Sequence, residues 1–238
     1  MCGRYNIISS AQALHDAFEI ISDDLDFSFV SVNYNVHPTT AGADKSHWIT
    51  PPIVRFFDGN YEALAAVWPL VPVWAKGEVP KYSTANAKAE NVTKTKSYQH
   101  AWKHNQRCLI PATGFYEWQV VEGQKHKQPY NITLKSQTVF AMAGIWEQSA
   151  NPKTGDKVTS FSILTTHANA LMAEIHNTRQ RMPVILSPDK YKSWLDVSAD
   201  EAQFYCQPFP AEQMSAYKVS THVNNPNNND KQCIEAER

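Results

Sequence analysis

Four apolar runs, at residues 115–121, 130–134, 139–146 and 158–165, follow one another with turn-forming residues between them. Glu122-Gly123-Gln124 separates the first two, and Asn151-Pro152-Lys153-Thr154-Gly155 separates the last two. Parallel neighbours need a crossover of roughly a dozen residues or more, usually a helix, whereas antiparallel neighbours are joined by turns of this kind. The spacing therefore predicts antiparallel hairpins. Further strand signals, rich in β-branched and aromatic residues, lie at 53–57, 108–110 and 182–186. Ser10 ahead of Ala11, Leu14 and Phe18 reads as a capped amphipathic helix, and Ser97 ahead of Tyr98, Ala101 and Trp102 as a second. Ser187-Pro188 opens a third that reaches Trp194-Leu195, a cap residue followed by Pro at the first helical position. The expected class is α+β, with a mainly antiparallel core and short peripheral helices.

No internal repeat or low-complexity linker divides the 238 residues, so one domain over 1–226 is the simplest partition. The Asn-rich end, 227–238, is expected to be a loosely held polar tail. No run approaches the ~18 apolar residues that cross a bilayer, so a cytoplasmic location is expected, nucleoid-associated in a prokaryote, with no membrane partner. The four cysteines, Cys2, Cys108, Cys206 and Cys233, form no C-x-x-C pair, which argues against a zinc knuckle or a disulfide framework. No metal and no cofactor are expected. A formal net charge of −1 gives no global nucleic-acid signal, so any DNA contact must be local. Arg4, Arg55, Lys76, Lys81, Lys88, Lys94, Lys96, Lys103 and Arg107 supply local basic groups, most of them expected on a solvated face.

Cys2 carries the most specific chemistry. Removal of Met1 would leave an amine and a thiol two carbons apart, titrating near ~8 and ~8.5, so that each keeps a nucleophilic fraction at neutral pH. Such a 1,2-aminothiol traps aldehydes. The amine attacks the carbonyl carbon and loses water to give an imine, and the sulfur then adds to the same carbon, closing a thiazolidine. An internal cysteine lacks the free amine. Taken alone, a cysteine near a terminus fits an incidental apolar filler equally well.

Its company alters that balance. Besides Met1-Cys2-Gly3-Arg4-Tyr5, the chain carries Tyr34-Asn35-Val36-His37-Pro38 and Asn86-Ala87-Lys88-Ala89-Glu90. Arg107-Cys108-Leu109-Ile110-Pro111-Ala112-Thr113-Gly114-Phe115-Tyr116-Glu117-Trp118 and Ala143-Gly144-Ile145-Trp146 follow. Ile175-His176 and Met182-Pro183-Val184-Ile185-Leu186 complete the series. Each string is weak, but their joint order closely resembles the SRAP domain, whose members shield abasic sites in single-stranded DNA. The resemblance implies a barrel-like β core and a monomer that engages abasic single-stranded DNA, with junctions to duplex among its targets.

It also implies roles. Mature Cys2 would attack C1′ of the ring-opened deoxyribose and form a covalent DNA–protein crosslink. Asn86 would hold the N-terminal residue and the sugar, since an amide donates and accepts without titrating. Glu117 would move protons at the amine and the departing water, a task suited by a raised pKa among aromatics. His176 would assist opening of the sugar ring, imidazole being suited to proton transfer near neutral pH. Self-release of the linkage and weak lyase activity are implied as well. Among DNA-binding residues, Arg4 is the first choice for a phosphate clamp, supported by Lys88, where the family more often has Arg. Asn35 joins them, and Trp68, Pro72 and Trp74 resemble the family's wedge beside the flipped-out site. The chain departs from the pattern at Pro69, where Gly is usual, and in Asn177-Thr178-Arg179-Gln180-Arg181, longer than the usual link from His to Arg-Met-Pro.

Without the resemblance, Asn86 reads as a turn residue, Glu117 as a surface carboxylate on a half-buried strand, and His176 as a helix-end histidine. Two rival functions share the same residues. An N-terminal-nucleophile amidohydrolase of glutaminase type would use Cys2 through a thioester. A noncatalytic single-strand binding module would tolerate loss of Cys2 and bind intact and abasic DNA alike.

Overall fold

A computed structural model describes residues 2–237. Among the described residues, thirteen strands are interspersed with short helices. They are β1 (Arg4–Ile7), β2 (Asn33–Val36), β3 (Pro52–Phe57), β4 (Asn60–Ala65), β5 (Asn86–Lys88), β6 (Arg107–Ala112) and β7 (Gly114–Gln119). After them come β8 (Gln128–Leu134), β9 (Phe140–Ala150), β10 (Lys157–His167), β11 (Arg181–Pro183), β12 (Ile185–Leu186) and β13 (Met214–Lys218). The α-helices are α1 (Ala11–Phe18), α2 (Gln99–Lys103), α3 (Ala170–Ile175), α4 (Tyr191–Asp196) and α5 (Ala199–Ala202).

One sheet has the order β13-β8-β7-β1-β2, and the other β11-β10-β9-β6-β3-β4, with β12 added on β9 and β5 on β10. Every pair between named strands is antiparallel except β5 with β10. The α+β class therefore holds. The core consists of two open sheets with end strands rather than a closed cylinder. No helix among the described residues is long and apolar enough to cross a membrane.

Every strand expected from the apolar runs forms, with one division: 182–186 is split at Val184 into β11 and β12. Val184 bonds to the backbones of Leu164 and Ala143, on β10 and β9 respectively, so the segment changes partner at that residue. The helix caps are less faithful. Ser10 caps α1 through its side chain, but Tyr98 rather than Ser97 precedes α2, and Ser187 makes no side-chain cap. Pro188 opens a short 3-10 turn, Pro188–Lys190, which runs into α4.

The expectation of a loosely held C-terminal end is overturned. Asn229 Oδ1 accepts from the Tyr34 N–H at 2.7 Å, Ala236 bridges Val219, and Cys233 is fully buried against Tyr116, Val219 and Val223. Asparagine amides in this segment serve as backbone partners, which composition alone does not distinguish from a solvated tail.

Gly144 sits where β9 is flanked by β6 and β10. A Cβ there would lie 2.6 Å from Ile110 Cδ1 and 2.9 Å from the Ser162 carbonyl oxygen. Backbone cannot yield as a side-chain tip can, so overpacking of about 1–3 kcal/mol is expected for Gly144→Ala. Urea unfolding should show a lower midpoint at unchanged slope, and an unaltered midpoint would remove this close approach from the account.

Candidate active site

Strand β1 runs between β7 and β2, so the residues after Cys2 are held by ladders on both sides. Arg4 faces Tyr116 and Tyr5 faces Phe115, and continuing that register one step sets Gly3 beside Glu117. Both line a cavity of about 360 Å³, together with Asn86, His176, Thr178 and Arg179. Cys2 itself is fully buried and touches this constellation through its backbone. Asn86 Nδ2 donates to the Cys2 carbonyl oxygen at 2.8 Å. The Cys2 thiol lies 3.6 Å from the Arg4 carbonyl oxygen, and burial, helped by the Glu117 charge, pushes its pKa well up. It remains a neutral S–H at physiological pH.

Asn86 is held from behind. Its own carbonyl accepts from the Tyr98 hydroxyl at 3.1 Å, and burial raises that hydroxyl's pKa to about 12, so it stays a donor. Strand β5 pairs Asn86 with Ile163 of β10, fixing its backbone. Asn86 Oδ1 is buried and without a hydrogen-bond partner, an unused acceptor beside Cys2.

Glu117 is only 2% exposed, and burial raises its pKa from the ordinary carboxylate range. Strand alternation places Tyr116 in the separate cluster beneath the C-terminal segment, while Glu117 turns into the cavity. His176 arrives from another direction. Asn169 caps α3 by accepting from the Met172 N–H, and His176 ends the same helix as its C-cap. Its Nδ1 lies 2.9 Å from the Arg181 carbonyl oxygen and 3.7 Å from Glu117 Oε1. A carbonyl only accepts, so Nδ1 carries a hydrogen and Nε2 is the nitrogen that exchanges a second proton. The three side chains expected to support Cys2 thus meet in one cavity, and Glu117 is not a surface carboxylate.

The DNA-binding expectations divide. Trp68 is fully buried, stacked on Phe161 with centroids 6.1 Å apart, and its indole N–H donates to the Ala85 carbonyl at 2.8 Å. Pro72 is buried too, so of the three-residue wedge only Trp74 presents a surface, 43% exposed with Lys96 over its ring. Lys88 is exposed and has no ion pair among the described residues. Asn35 is 1% exposed. Its amide nitrogen donates to the carbonyls of Val223, Asn225 and Asn228, and its oxygen accepts from Arg4 at 3.3 Å. Arg4 is drawn into the same hub. It bonds the Val223 and Asn224 carbonyls and lies over the Trp118 ring at 5.9 Å. The long-range carbonyls that hold both residues are invisible in sequence.

Sequence reasoning missed the far wall. Lys127 and Trp118 line this cavity and also a neighbouring one of about 360 Å³ that carries Arg4, His126 and Asn224. Lys127 belongs to a polar turn whose composition gives no functional signal. Nearby, Arg181 is spent on Glu90 at 2.6 and 2.9 Å and on the Thr165 carbonyl at 2.7 Å.

The family model for SOS response associated peptidase (SRAP) matches residues 1–226, and the chain belongs to that family. It is 36% identical over 240 residues to the abasic site processing protein YoqW of Bacillus subtilis, covering 99% of this chain and 100% of that protein. The abasic site processing protein HMCES of Pongo abelii is 32% identical over 213 residues, covering 76% of this chain and 59% of that protein. Among solved structures, a protein of Bacteroides thetaiotaomicron matches with a TM-score of 0.79 at 27% identity, over 100% of each chain.

Because the Asn35 amide reaches three carbonyls of the C-terminal segment, Asn35→Ala should cost about 1–3 kcal/mol through the hydrogen bonds lost. Hydrogen exchange should rise across residues 223–229. Unchanged exchange there, with weakened DNA binding, would assign Asn35 to a DNA contact rather than to holding this segment.

Proposed function

We propose that this protein captures abasic sites in single-stranded DNA as a covalent adduct on Cys2 once Met1 is removed. Met1 lies outside the described residues. The observation that carries the reading is the 2.8 Å bond from Asn86 Nδ2 to the Cys2 carbonyl, in a cavity that also presents Glu117 and His176. The SRAP membership and the names of the relatives support the same substrate.

The steps follow from where the groups lie. His176 Nε2 gives a proton to the deoxyribose ring oxygen as the C1′ hydroxyl loses its own, opening the sugar to an aldehyde. The free amine of Cys2 attacks C1′, and the resulting carbinolamine loses water when protonated Glu117 supplies a proton to the departing hydroxyl. Burial suits Glu117 to this task, because it holds the carboxyl in its acid form at a higher pH than usual. The thiol then adds across the imine. Sulfur bonds to C1′, the S–H proton passes to nitrogen, and the ring closes. An imine left at C1′ would acidify C2′ and permit β-elimination, so the sulfur protects the strand from breakage. Asn86 Oδ1, buried without a partner, is the acceptor for the new amine or a sugar hydroxyl. Reversal of the same steps gives self-release, and leakage from the imine gives weak lyase activity. Trp74 and Lys96 offer a stacking face beside a cation, and Lys88 a further phosphate contact.

Intact mass after mixing with an abasic oligonucleotide should show loss of Met1 and one captured strand per chain. A noncovalent complex alone would reject the reading. Cys2→Ser should still form some imine but give a labile adduct with more strand cleavage on denaturing gels, and a stable adduct would contradict the sulfur's role.

Capture should follow a bell-shaped pH profile. The amine must be unprotonated, so the rate falls as pH drops below about 8. Glu117 must be protonated, so the rate also falls as pH rises through its raised pKa. Glu117→Gln should lower the rate about 100-fold and abolish the alkaline limb. Retention of that limb would assign it to another group.

A further inference from the structure

Residues 177–180 form a corner between His176 and β11, and both ends of the corner are fixed. Asn177 grips the end of β7: its Oδ1 accepts from the Val120 N–H at 3.1 Å and its Nδ2 donates to the Val120 carbonyl at 2.9 Å. At the other end, Gln180 N–H donates to the His176 carbonyl at 2.8 Å, and the Gln180 carbonyl accepts from Ala168 N–H at 2.9 Å. Thr178 and Arg179 project from between these anchors, exposed, and both line the cavity that holds Asn86, Glu117 and His176.

The two nearby arginines differ in what they are free to do. Arg181 is 6% exposed and its guanidinium is committed to Glu90 and Thr165. Arg179 has no ion pair or side-chain hydrogen bond among the described residues. It is a charged fork on a pinned backbone, aimed at a reactive cavity whose other cation is Lys127 and whose single carboxylate is the buried Glu117. Such a pair of cations around a site for an uncharged sugar fits an anion attached to that sugar.

We propose that Thr178 and Arg179 form a phosphodiester subsite, with Arg179 gripping a backbone phosphate next to the captured nucleotide and the Thr178 hydroxyl available as a second donor. The inference rests on the reading that this cavity takes an abasic sugar in DNA. The residues beyond the usual spacing after His176 thus provide a free guanidinium at the rim, two positions from an arginine locked in the interior. Lys127 supplies the second charge. Arg179 positions the strand and takes no part in proton transfer.

Binding to an intact, undamaged single-stranded oligonucleotide separates this subsite from the adduct chemistry. Fluorescence anisotropy over a salt series should give Arg179→Ala an affinity about tenfold weaker than wild type. The slope of log affinity against log salt should be smaller in magnitude by about 0.7. Arg179→Lys should restore the slope and only part of the affinity, since it keeps the charge and loses the fork. Asn177→Ala, which frees the corner, should weaken binding without altering the slope. Inorganic phosphate titrated at constant ionic strength distinguishes the ligand. Displacement of DNA only at high phosphate supports a strand-borne phosphodiester, while displacement at low phosphate overturns it in favour of a free-anion site. Equal affinity and slope for wild type and Arg179→Ala would overturn the subsite even if wild type captures abasic DNA normally. Failure of wild type to form any adduct would instead strike the proposed function, leaving the binding comparison to decide the subsite.

Discussion

The position of β1 between β7 and β2 is the constraint on which the site depends. The four-residue strand pairs through Arg4, Tyr5 and Asn6 on one edge and through Tyr5 and Ile7 on the other, so the backbone just before it has little freedom. The β1–β7 register then brings Gly3 beside Glu117. A slip of one residue would turn Glu117 to the opposite face, into the cluster that Tyr116 now occupies. Asn6 and Asn131 help to prevent such a slip, meeting at 3.1 Å across the sheet beside Gly114. A Cβ on Gly114 would lie 2.7 Å from Asn131 Oδ1, so the two amides meet where only glycine leaves room.

That clamp is closed from outside by the C-terminal segment. Arg4 and Asn35 carry it, each bonding carbonyls more than 180 residues away in sequence. The N-terminal strand is thus tied to the other end of the chain through side chains, in addition to its ladders. Trp118 joins the two by lying under Arg4 and donating to Asn224 Oδ1 at 2.7 Å. The same residues form the wall of the second cavity, so the tie that orders β1 also shapes the surface next to the site.

Around the cavity the polar groups are arranged unequally. Glu90 and Arg181 satisfy each other. Burial raises the Glu90 pKa but is outweighed by the Arg181 hydrogen bonds, which leave it below the usual carboxylate range. Glu117 shows the opposite balance, with burial raising its pKa although His176 stands 3.7 Å away. The pKa values of two carboxylates close to residues 176–181 are thereby pushed in opposite directions by how much solvent and how close a cation each one meets. A buried, raised carboxyl is poor for stability and useful for proton transfer.

The strands from 53–57 to 182–186 were legible in sequence because apolar runs and turn residues act locally, through steric preference and backbone hydrogen bonding. The same holds for α1, whose Ser10 cap is a short-range bond. β1, β2, β4, β5 and β13 were not legible. Short and compositionally mixed, they are strands because a neighbour supplies a ladder. Ordered motifs gave Cys2, Asn86, Glu117 and His176 as a set, but not the cavity in which three of them meet. Trp68, Pro72 and Asn35 went inward, and Lys127 and Arg179 came to the rim, for reasons no local pattern holds. Residue type thus determined the available chemistry: an aminothiol, an amide, a carboxyl and an imidazole. Which of them face one another, and which carboxyl is buried deeply enough for its pKa to rise, was decided only when strands distant in sequence packed together, because burial and register are properties of the assembled sheets.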